Sequence, residues 1–419
     1  IELASLDGAN GFVLNGIGAF DFSGRSVSAA GDINGDGIGD LVIGAYRASP
    51  GGRSGAGQSY VVFGSETLGA GGSLELSELT GSNGFICNGV GRGSLSGWSV
   101  SSAGDVNDDG IADLIIGARG ASPGGRSNAG ESYVIFGSEG VGASGVFELS
   151  ALDGTNGFVV HGIDADDTSG FAVSAAGDVN GDGIDDFMVG APNADPDGRA
   201  YAGEAYVVFG GSSIGEGGSL ELASLDGTNG CVVKGSNAVD FSGQTVSSAG
   251  DMNGDGLADV IIGAPMLFST TRGRACVVFG GPSMGATGVI ELSSLNGSNG
   301  FAISGMSQGD LIGYSALCAG DINGDGIDDV ALGAPYAYPS GRLGAGQTYV
   351  VFGRRARTPQ LCEADVDGDA VVDAADFSVL AVHFGAVVEP GTLGDLTGDG
   401  VVNTSDFAIL ARDFGCGAP

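Results

Sequence analysis

The sequence predicts a mainly β protein, a β-propeller, followed by a small α-helical module. One acidic nine-residue loop recurs five times, short apolar runs bounded by Gly, Ser and Asn flank each copy, and the repeat stops after residue 353. A period of this length indicates stacked supersecondary units rather than one irregular core. Glycine supplies 84 of the 419 residues, which suits many short strands joined by tight turns.

The acidic loop predicts a metal site in every repeat. Its copies begin at Asp32, Asp105, Asp178, Asp251 and Asp321, at intervals of 73, 73, 73 and 70 residues. Positions 1, 3, 5 and 9 offer side-chain oxygens, position 7 offers a carbonyl, and the glycine after position 5 permits a sharp turn. Oxygen ligands without Cys or His select Ca²⁺. Asp-Asn-Gly clusters also form plain turns, but five copies in register favour five structural calcium sites.

The predicted side-chain ligands are Asp32, Asn34, Asp36, Asp40; Asp105, Asn107, Asp109, Asp113; Asp178, Asn180, Asp182, Asp186; Asp251, Asn253, Asp255, Asp259; and Asp321, Asn323, Asp325, Asp329. The predicted carbonyl ligands are Ile38, Ile111, Ile184, Leu257 and Ile327.

Each repeat predicts one four-stranded blade. In the first repeat the strands are expected at 26–30, 41–45, 59–64 and 84–89, and the small residues of the first suit the innermost position. The chain opens with a fourth-strand segment (11–16) and the array ends on a third strand (349–353). We therefore expect five four-stranded blades, with the N-terminal strand closing the last blade. The alternative is a ring of seven blades, of which this chain is a fragment.

Residues 1–353 resemble the FG-GAP repeats of the integrin alpha-chain propeller. The matching segments are 97–100, 170–173 and 313–316 before the acidic loops, and the Gly-Ala-Pro segments 190–192, 263–265 and 333–335 after them. Tyr46 and Arg119 replace that proline in the first two repeats, and Arg25 and Gln244 replace the aromatic residue in repeats one and four. The resemblance implies calcium between the first and second strands of each blade.

After a linker at 354–361, residues 362–419 predict a separate calcium module. Segments 365–376 and 395–406 have the ligand spacing of EF-hand loops, and each runs into a short apolar helix. The predicted ligands are Asp365, Asp367, Asp369, Val371, Asp373, Asp376, Asp395, Thr397, Asp399, Val401, Asn403 and Asp406. Cys362 and Cys416 bracket the module and could form a disulfide, whereas Cys87, Cys231, Cys276 and Cys318 fall in strand-like runs and are expected as buried thiols.

Residues 362–416 resemble a type I dockerin. The resemblance implies two calcium ions and docking onto a cohesin-like protein. Residues 374–375 (Ala-Ala) and 404–405 (Thr-Ser) stand at the partner-recognition positions of that family. The alternative is a purely structural, calcium-stabilised tail.

The charge of the chain limits its partners. A formal net charge of −36 repels phosphate backbones, so no nucleic-acid partner is expected. No apolar run approaches the 18 residues that a membrane span needs. The chain begins at Ile1, already inside a repeat, so either a leader has been removed or the chain is a fragment. With the two resemblances, we expect a secreted or cell-surface protein.

Basic and aromatic residues suggest a ligand on the face opposite the acidic loops. Arg53, Arg126, Arg199 and Arg342 each precede the third-strand tyrosine by seven residues, and that regularity favours a structural inter-blade role. Irregular residues are better candidates for binding a protein or an anionic glycan: Tyr46, Arg47, Trp98, Arg119, Tyr336 and Tyr338. For Trp98 itself, packing in the core is the competing interpretation.

The sequence contains no recognisable catalytic constellation. The leading hypothesis is a secreted calcium-binding adhesion or scaffold protein, not an enzyme, whose propeller presents a binding face and whose dockerin-like module docks to a cohesin-type partner. One alternative is a carbohydrate-active enzyme, a polysaccharide lyase or hydrolase, on a propeller scaffold. The other is a structural surface-layer component.

Overall fold

The fold was analysed in a computed structural model, which describes residues 2–266, 272–342, 344–355, 366, 374–388, 394–397 and 400–413. The chain divides into two compact units, Ile1–Arg354 and Arg355–Pro419. The first unit consists of β-strands and single 3₁₀ turns, and the second contains two α-helices.

Each repeat forms strands at the same places in the period. Innermost strands are β2 (Ser26–Gly31), β7 (Ser99–Gly104), β12 (Ala172–Gly177), β17 (Thr245–Gly250) and β22 (Ser315–Gly320). Second strands are β3 (Asp40–Ala45), β8 (Asp113–Ala118), β13 (Asp186–Ala191), β18 (Asp259–Ala264) and β23 (Asp329–Ala334). Third strands are β4 (Gln58–Val62), β9 (Glu131–Ile135), β14 (Glu204–Val208), β19 (Arg274–Val278) and β24 (Gln347–Val351). Fourth strands are β6 (Gly84–Asn88), β11 (Gly157–His161), β16 (Gly230–Lys234) and β21 (Gly300–Ser304).

Short elements complete the first unit. Three-residue strands are β1 (Val13–Asn15), β5 (Ser73–Glu75), β10 (Val146–Glu148), β15 (Ser219–Glu221) and β20 (Val289–Glu291). The 3₁₀ turns are Leu3–Ser5, Pro50–Gly52, Leu76–Glu78, Pro123–Gly125, Leu149–Ala151, Pro196–Gly198, Leu222–Ser224, Leu292–Ser294 and Pro339–Gly341. The helices of the second unit are α1 (Ala374–His383) and α2 (Thr404–Asp413).

The first unit is a β-propeller array of antiparallel blades. The first three blades contain four strands in sequence order, and each also accepts the three-residue strand of the following repeat as a fifth strand. That fifth strand runs parallel to the fourth, as Phe147 paired with Cys87 illustrates in the first blade. The sequence analysis missed this addition, because a three-residue strand is too short to produce a recognisable alternation of apolar and polar residues.

The innermost strands of neighbouring blades lie side by side, as expected from their small residues. The hydroxyl of Ser26 accepts a hydrogen bond from the backbone N–H of Val100 at 3.0 Å, and Ser99 accepts one from Val173 at 3.1 Å. Close approach also depends on glycine. A Cβ on Gly117 would overlap the carbonyl oxygen of Gly170, which itself has φ +80°.

The predicted closure of the last blade by the N-terminal strand is wrong in this structure. β1 pairs in parallel with β5, with Leu14 opposite Leu74, as each fourth strand pairs with the short strand after it. In the described part of the chain, the fifth blade has three strands, β22, β23 and β24. A fourth strand has two edges, and the fourth strands of the first three blades use one for a third strand and the other for a short strand. β1 pairs only through the edge that faces β5 in the described part of the chain.

Both ends of the array consequently expose positions that are buried between blades. Val27 on the first blade is 64% exposed, whereas its equivalent Val100 on the second is 4% exposed. On the fifth blade, Val350 is exposed although its equivalents in the other third strands are buried. Between these ends, apolar side chains of adjacent blades form continuous clusters, in which Tyr60, Tyr133 and Tyr206 are among the largest buried side chains.

Candidate metal-binding loops and ligand-facing residues

The acidic loop of each blade joins the innermost strand to the second strand and is held by its own side chains. In the first blade, the carboxylate of Asp32 accepts hydrogen bonds from the backbone N–H groups of Asp36 at 3.0 Å and Gly37 at 2.8 Å. The side-chain oxygen of Asn34 accepts the same Asp36 N–H at 2.9 Å, and Asp36 accepts from Ile38 N–H at 2.8 Å. The side chains at positions 1 and 3 therefore share the backbone amide of position 5, whose own carboxylate accepts the amide of position 7.

The other four loops repeat this arrangement. The backbone amides of Asp109, Asp182, Asp255 and Asp325 each donate to the carboxylate at position 1 and to the asparagine at position 3 of their own loop. The structure thus brings together positions 1, 3 and 5 in all five loops. The carbonyl positions, such as Ile38, follow directly in the same turn.

The aspartate at position 9 is buried and has a different set of contacts. Asp40 accepts hydrogen bonds from Ile33 N–H at 3.0 Å and from Gly64 N–H, after the third strand, at 2.7 Å. Its equivalents Asp113, Asp186, Asp259 and Asp329 accept the corresponding pair. Burial raises the pKa of Asp113, Asp186 and Asp259 to about 7. Position 9 therefore ties the loop to the third strand of its own blade.

Two further acidic residues link neighbouring loops, and sequence analysis did not single them out. Asp185, at position 8 of the third loop, accepts a hydrogen bond from the backbone N–H of Asp105 in the second loop at 3.0 Å. Asp328 in the fifth loop does the same for Asp251 at 2.9 Å. The signal was present, because only these two loops carry aspartate at position 8.

The donor set of the loops suits a hard cation, although the side chains are not assembled as a metal shell. Within the described ranges, no three Asp, Glu, His or Cys side chains form a group that could hold a metal ion. The oxygens at positions 1, 3 and 5 instead accept backbone N–H groups. All of them are carboxylate or amide oxygens around a Gly-rich turn, the chemistry that Ca²⁺ requires.

The second unit contains two short helices, each closed by a buried aspartate near its start. Asp406 accepts hydrogen bonds from Thr397 N–H and Asn403 N–H, both at 2.8 Å. Asp376 accepts one from Val366 N–H at 2.6 Å. Asp395 accepts from Gly400 N–H at 2.8 Å. The described residues of the second predicted loop thus bond to its first and last ligand positions, Asp395 and Asp406.

Several predicted positions of this unit lie outside the described residues. They are Cys362, Asp365, Asp367, Asp369, Val371, Asp373, Asp399 and Cys416. The calcium ligands of the first loop and the disulfide therefore stay predictions. The other four cysteines are free, with Cys87, Cys231 and Cys276 buried as predicted and Cys318 half-buried.

The two helices pack on each other and leave apolar and hydroxyl groups exposed. Leu380, Val402 and Leu410 form a small buried core, and the rings of Phe377 and Phe407 meet edge to face at 5.8 Å. Thr404 and Ser405, at the start of α2, are exposed, and so is Ala374 at the start of α1. These positions are available for contact with a partner.

Three of the four regularly spaced arginines join consecutive repeats, as predicted. Arg53 forms an ion pair with Glu148 at 3.1 Å, and Arg126 forms one with Glu221 at 3.2 Å. Arg199 pairs with Glu291 at 3.0 Å. Each glutamate ends the short strand that the next repeat adds to the blade. Arg342, in the last repeat, instead donates to the carbonyl of Pro339 in its own loop at 3.2 Å.

Four of the irregular ligand candidates come together at the end of the inner strands opposite the acidic loops. The ring of Tyr46 meets Trp98 edge to face at 4.8 Å, and the guanidinium of Arg119 lies 3.8 Å from the Trp98 ring centroid. Arg47 lies 5.6 Å from the Tyr46 ring centroid. Tyr336 and Tyr338 are exposed after β23, in the fifth blade. The predicted binding face therefore has its densest cluster at Trp98.

With this geometry established, comparison with known families identifies the two units. The model described as "FG-GAP repeat" matches residues 23–62, 96–135, 169–208, 242–275 and 313–351. These segments run from the start of each innermost strand to the third strand of each blade. The model described as "Dockerin type I domain" matches residues 363–415.

The chain carries five FG-GAP repeats and a C-terminal type I dockerin domain.

Relatives share the FG-GAP region. Human phosphatidylinositol-glycan-specific phospholipase D is 30% identical over 253 residues, which are 59% of this chain and 27% of that protein. The Xenopus laevis integrin alpha-5 is 26% identical over 245 residues, 58% of this chain and 20% of that protein. The chain therefore spans about a quarter or less of the length of these relatives. Both FG-GAP and dockerin domains are typically non-catalytic and are typical of extracellular or cell-surface proteins.

A solved structure titled "Type II cohesin-dockerin domain from Bacteroides cellolosolvens" matches 13% of this chain and 88% of its own chain, with 41% identity and a TM-score of 0.12. In the part of the chain that the structure describes, no helix has the length and apolar character needed to cross a membrane.

Proposed function

We propose that this chain is a secreted or cell-surface calcium-binding adhesion or scaffold protein. Its propeller presents a binding face, and its dockerin domain attaches it to a cohesin-like protein. The observation that carries this proposal is the pairing of two separate units, an array of FG-GAP blades and a dockerin domain with exposed residues at both helix starts. In this proposal the propeller binds a ligand, and the dockerin domain attaches the chain to its cohesin-like partner.

Calcium would be held in the FG-GAP loops by the oxygens already gathered at positions 1, 3 and 5, with Asp at position 9 behind them. In the first blade these are Asp32, Asn34, Asp36 and Asp40. Bound calcium neutralises clustered carboxylates and so stabilises the loop. If a site is saturated at 100 times its dissociation constant, it adds about 2.7 kcal/mol to the free energy of unfolding.

In the dockerin domain, one calcium ion would be held by the second loop, through Asp395, Thr397, Asp399, Val401, Asn403 and Asp406, and a second ion by the predicted ligands of the first loop. The ion would fix the start of α2, where Thr404 and Ser405 are exposed. Docking is therefore expected to depend on calcium. Calcium-dependent capture of a cohesin would distinguish a recognition domain from a tail that only folds around calcium.

A panel of purified cohesin domains, probed with the full chain in calcium and in EGTA, tests the proposal. We expect capture by at least one cohesin in calcium and its loss in EGTA. Asp406→Ala should weaken capture at least tenfold, because it removes the carboxylate that closes the second loop. Asp113→Ala, in the propeller, is the matched control and should leave capture unchanged. If no cohesin captures the chain, the docking function is wrong.

An enzymatic function remains the second candidate, because one group of relatives carries the name of a phospholipase D. A polysaccharide lyase or hydrolase on this scaffold would release products from a glycan that the propeller binds. Incubation of the calcium-loaded chain with glycans, followed by chromatography of the products, distinguishes turnover from binding. Calcium-dependent self-assembly without capture of any ligand would instead favour a surface-layer component.

A further inference from the structure

Three of the four departures from the repeat pattern meet at one place in the propeller, and the fourth is Gln244 in repeat four. At the position before the innermost strand, repeats two, three and five carry Trp98, Phe171 and Tyr314, whereas repeat one carries Arg25. After the second strand, repeats three to five carry proline, whereas the first two carry Tyr46 and Arg119. Blades with proline there have the same strands, so the fold does not require Tyr46 or Arg119.

Three of these departures surround Trp98. The guanidinium of Arg25, from the first blade, lies 4.8 Å from the indole centroid, and that of Arg119 lies 3.8 Å from it. Arg47 lies 5.3 Å from the ring centroid of Phe22, which stacks on Tyr46 at 5.7 Å. We call Phe22, Arg25, Tyr46, Arg47, Trp98 and Arg119 the Trp98 cluster.

The Trp98 cluster is cationic. Among the described residues, no carboxylate lies within the 4.0 Å of an ion pair from Arg25, Arg47 or Arg119, although carboxylates greatly outnumber basic groups in the chain. The regularly spaced Arg53 and Arg126, by contrast, each face a glutamate. Burial lowers the pKa of Arg119, the neighbouring Tyr46 raises it, and the positive charge of Arg25 has a smaller lowering effect. The positive charges of Arg25, Arg47 and Arg119 would therefore attract an anion to this surface.

The surface of the cluster alternates guanidinium groups with aromatic rings. Phe22, Arg25 and Arg47 are exposed, and Tyr46, Trp98 and Arg119 are half-buried, so the rings keep accessible surface. Planar guanidinium groups bind carboxylates through two parallel hydrogen bonds. Aromatic faces stack on the apolar faces of sugar rings. A ligand that alternates carboxylates with ring faces fits this surface better than an acidic peptide, whose charges lie on flexible side chains.

We propose that the Trp98 cluster binds an acidic polysaccharide, with uronate carboxylates on the arginines and sugar rings on the aromatic side chains. This proposal rests on the proposed function, because it names the ligand class of the propeller face. The proposal places the ligand-binding surface of the propeller on repeats one and two, which depart from the repeat pattern, and not at the regularly spaced arginines.

Trp98 reports on the site directly, because it is the single tryptophan of the chain. We would titrate the calcium-loaded full chain with oligogalacturonate and follow tryptophan fluorescence. A saturable change that weakens as salt is raised is expected. A neutral cello-oligosaccharide, inorganic phosphate and polyglutamate serve as comparison ligands. If polyglutamate or phosphate binds as tightly as oligogalacturonate, or if oligogalacturonate gives no saturable change, the assignment is overturned.

Repeat-matched variants keep the fold while removing the charges. Arg119→Pro and Arg25→Phe introduce residues that other blades carry at the same positions, and each should weaken oligogalacturonate binding at least tenfold by calorimetry. Arg126→Ala, which removes an arginine paired with Glu221, is the control and should bind as the unmodified chain does. Equal affinity of all three variants would overturn the proposal.

The result for oligogalacturonate binding can be distinguished from the result for cohesin capture. Cohesin capture is measured on the same preparations, and the variants in the Trp98 cluster should leave it unchanged. Capture without oligogalacturonate binding contradicts the ligand assignment alone. Oligogalacturonate binding without capture contradicts the docking function alone.

Discussion

Two buried aspartates at equivalent positions of this propeller differ in the charges of their neighbours. Asp167 and Asp240 occupy the same position in the third and fourth repeats, and both are buried. Asp240 lies 3.8 Å from the guanidinium of Arg274. Asp167 is surrounded by the negative charges of Asp164, Glu204 and Asp195, which add to the effect of burial.

This difference predicts a pH-dependent stability. Burial raises the pKa of Asp167 to about 7, above the value of about 3.9 in an unfolded chain. Its contribution to stability is therefore complete below about pH 4 and is lost as the pH rises through 7. Asp167→Asn should raise the free energy of unfolding by about 1–3 kcal/mol at pH 8 and by little at pH 4. Denaturant unfolding at the two pH values measures it.

Asp240→Asn is the matched control for that experiment. It removes the carboxylate that faces Arg274, so the gain at pH 8 should be smaller than for Asp167→Asn. If both variants gain equally, the neighbouring charge does not distinguish the two sites.

At the scale of an element, the second strand depends on a glycine where the next blade approaches it. A Cβ on Gly117 would overlap a backbone carbonyl, which cannot move aside. Gly117→Ala should therefore lower the free energy of unfolding by roughly 2–3 kcal/mol or more. Thermal unfolding of the calcium-loaded chain is the measurement.

Gly333→Ala provides the comparison, because Gly333 has the same place in the fifth blade. There the atom nearest to the added Cβ would be the rotatable hydroxyl of Ser315, and the next nearest atoms lie at ordinary contact distances. The expected loss is under about 1 kcal/mol. A large loss in this variant would mean that a further strand covers the fifth blade.

The elements also show what the sequence could predict. The acidic loops, the small residues of the innermost strands and the positions of the third and fourth strands were all predicted from period and composition. The short fifth strands were not, because three residues carry no periodic signal and gain their stability from the neighbouring blade. The partners of the N-terminal strand could not be chosen from sequence for the same reason. The contacts of Arg25 and Arg119 with Trp98 could not be predicted from the sequence, because they depend on how adjacent blades pack.

For the whole molecule, the decisive feature is that the array has two ends. Interior blades bury apolar residues against both neighbours, whereas the first and last blades each leave one face exposed. Stability should therefore be distributed as in other repeat proteins, as a sum of intrinsic terms and nearest-neighbour interfaces.

A pair of equivalent valines tests this distribution. Val100→Ala should lower the free energy of unfolding by roughly 2–3 kcal/mol, because it opens a cavity between the first two blades. Val27→Ala, at the exposed end, should cost under about 0.5 kcal/mol. Equal losses would show that the first blade is covered in solution.

Calcium removal is the second test at this scale. EGTA should lower the melting temperature of the chain, because many carboxylates are left close together without a counter-charge. Asp36→Ala should reduce the size of this effect. A melting curve that does not respond to EGTA would contradict the calcium-binding function of the loops.

Repeats two, three and four each share a short strand and an arginine–glutamate pair with the repeat before them, so these three junctions are alike. Excising a full period, for instance from Ser99 up to Ala172, would rejoin a blade to a neighbour of the same shape. The number of blades can thus change by unequal recombination without any new contact having to evolve, and an engineered chain could be lengthened or shortened in the same steps.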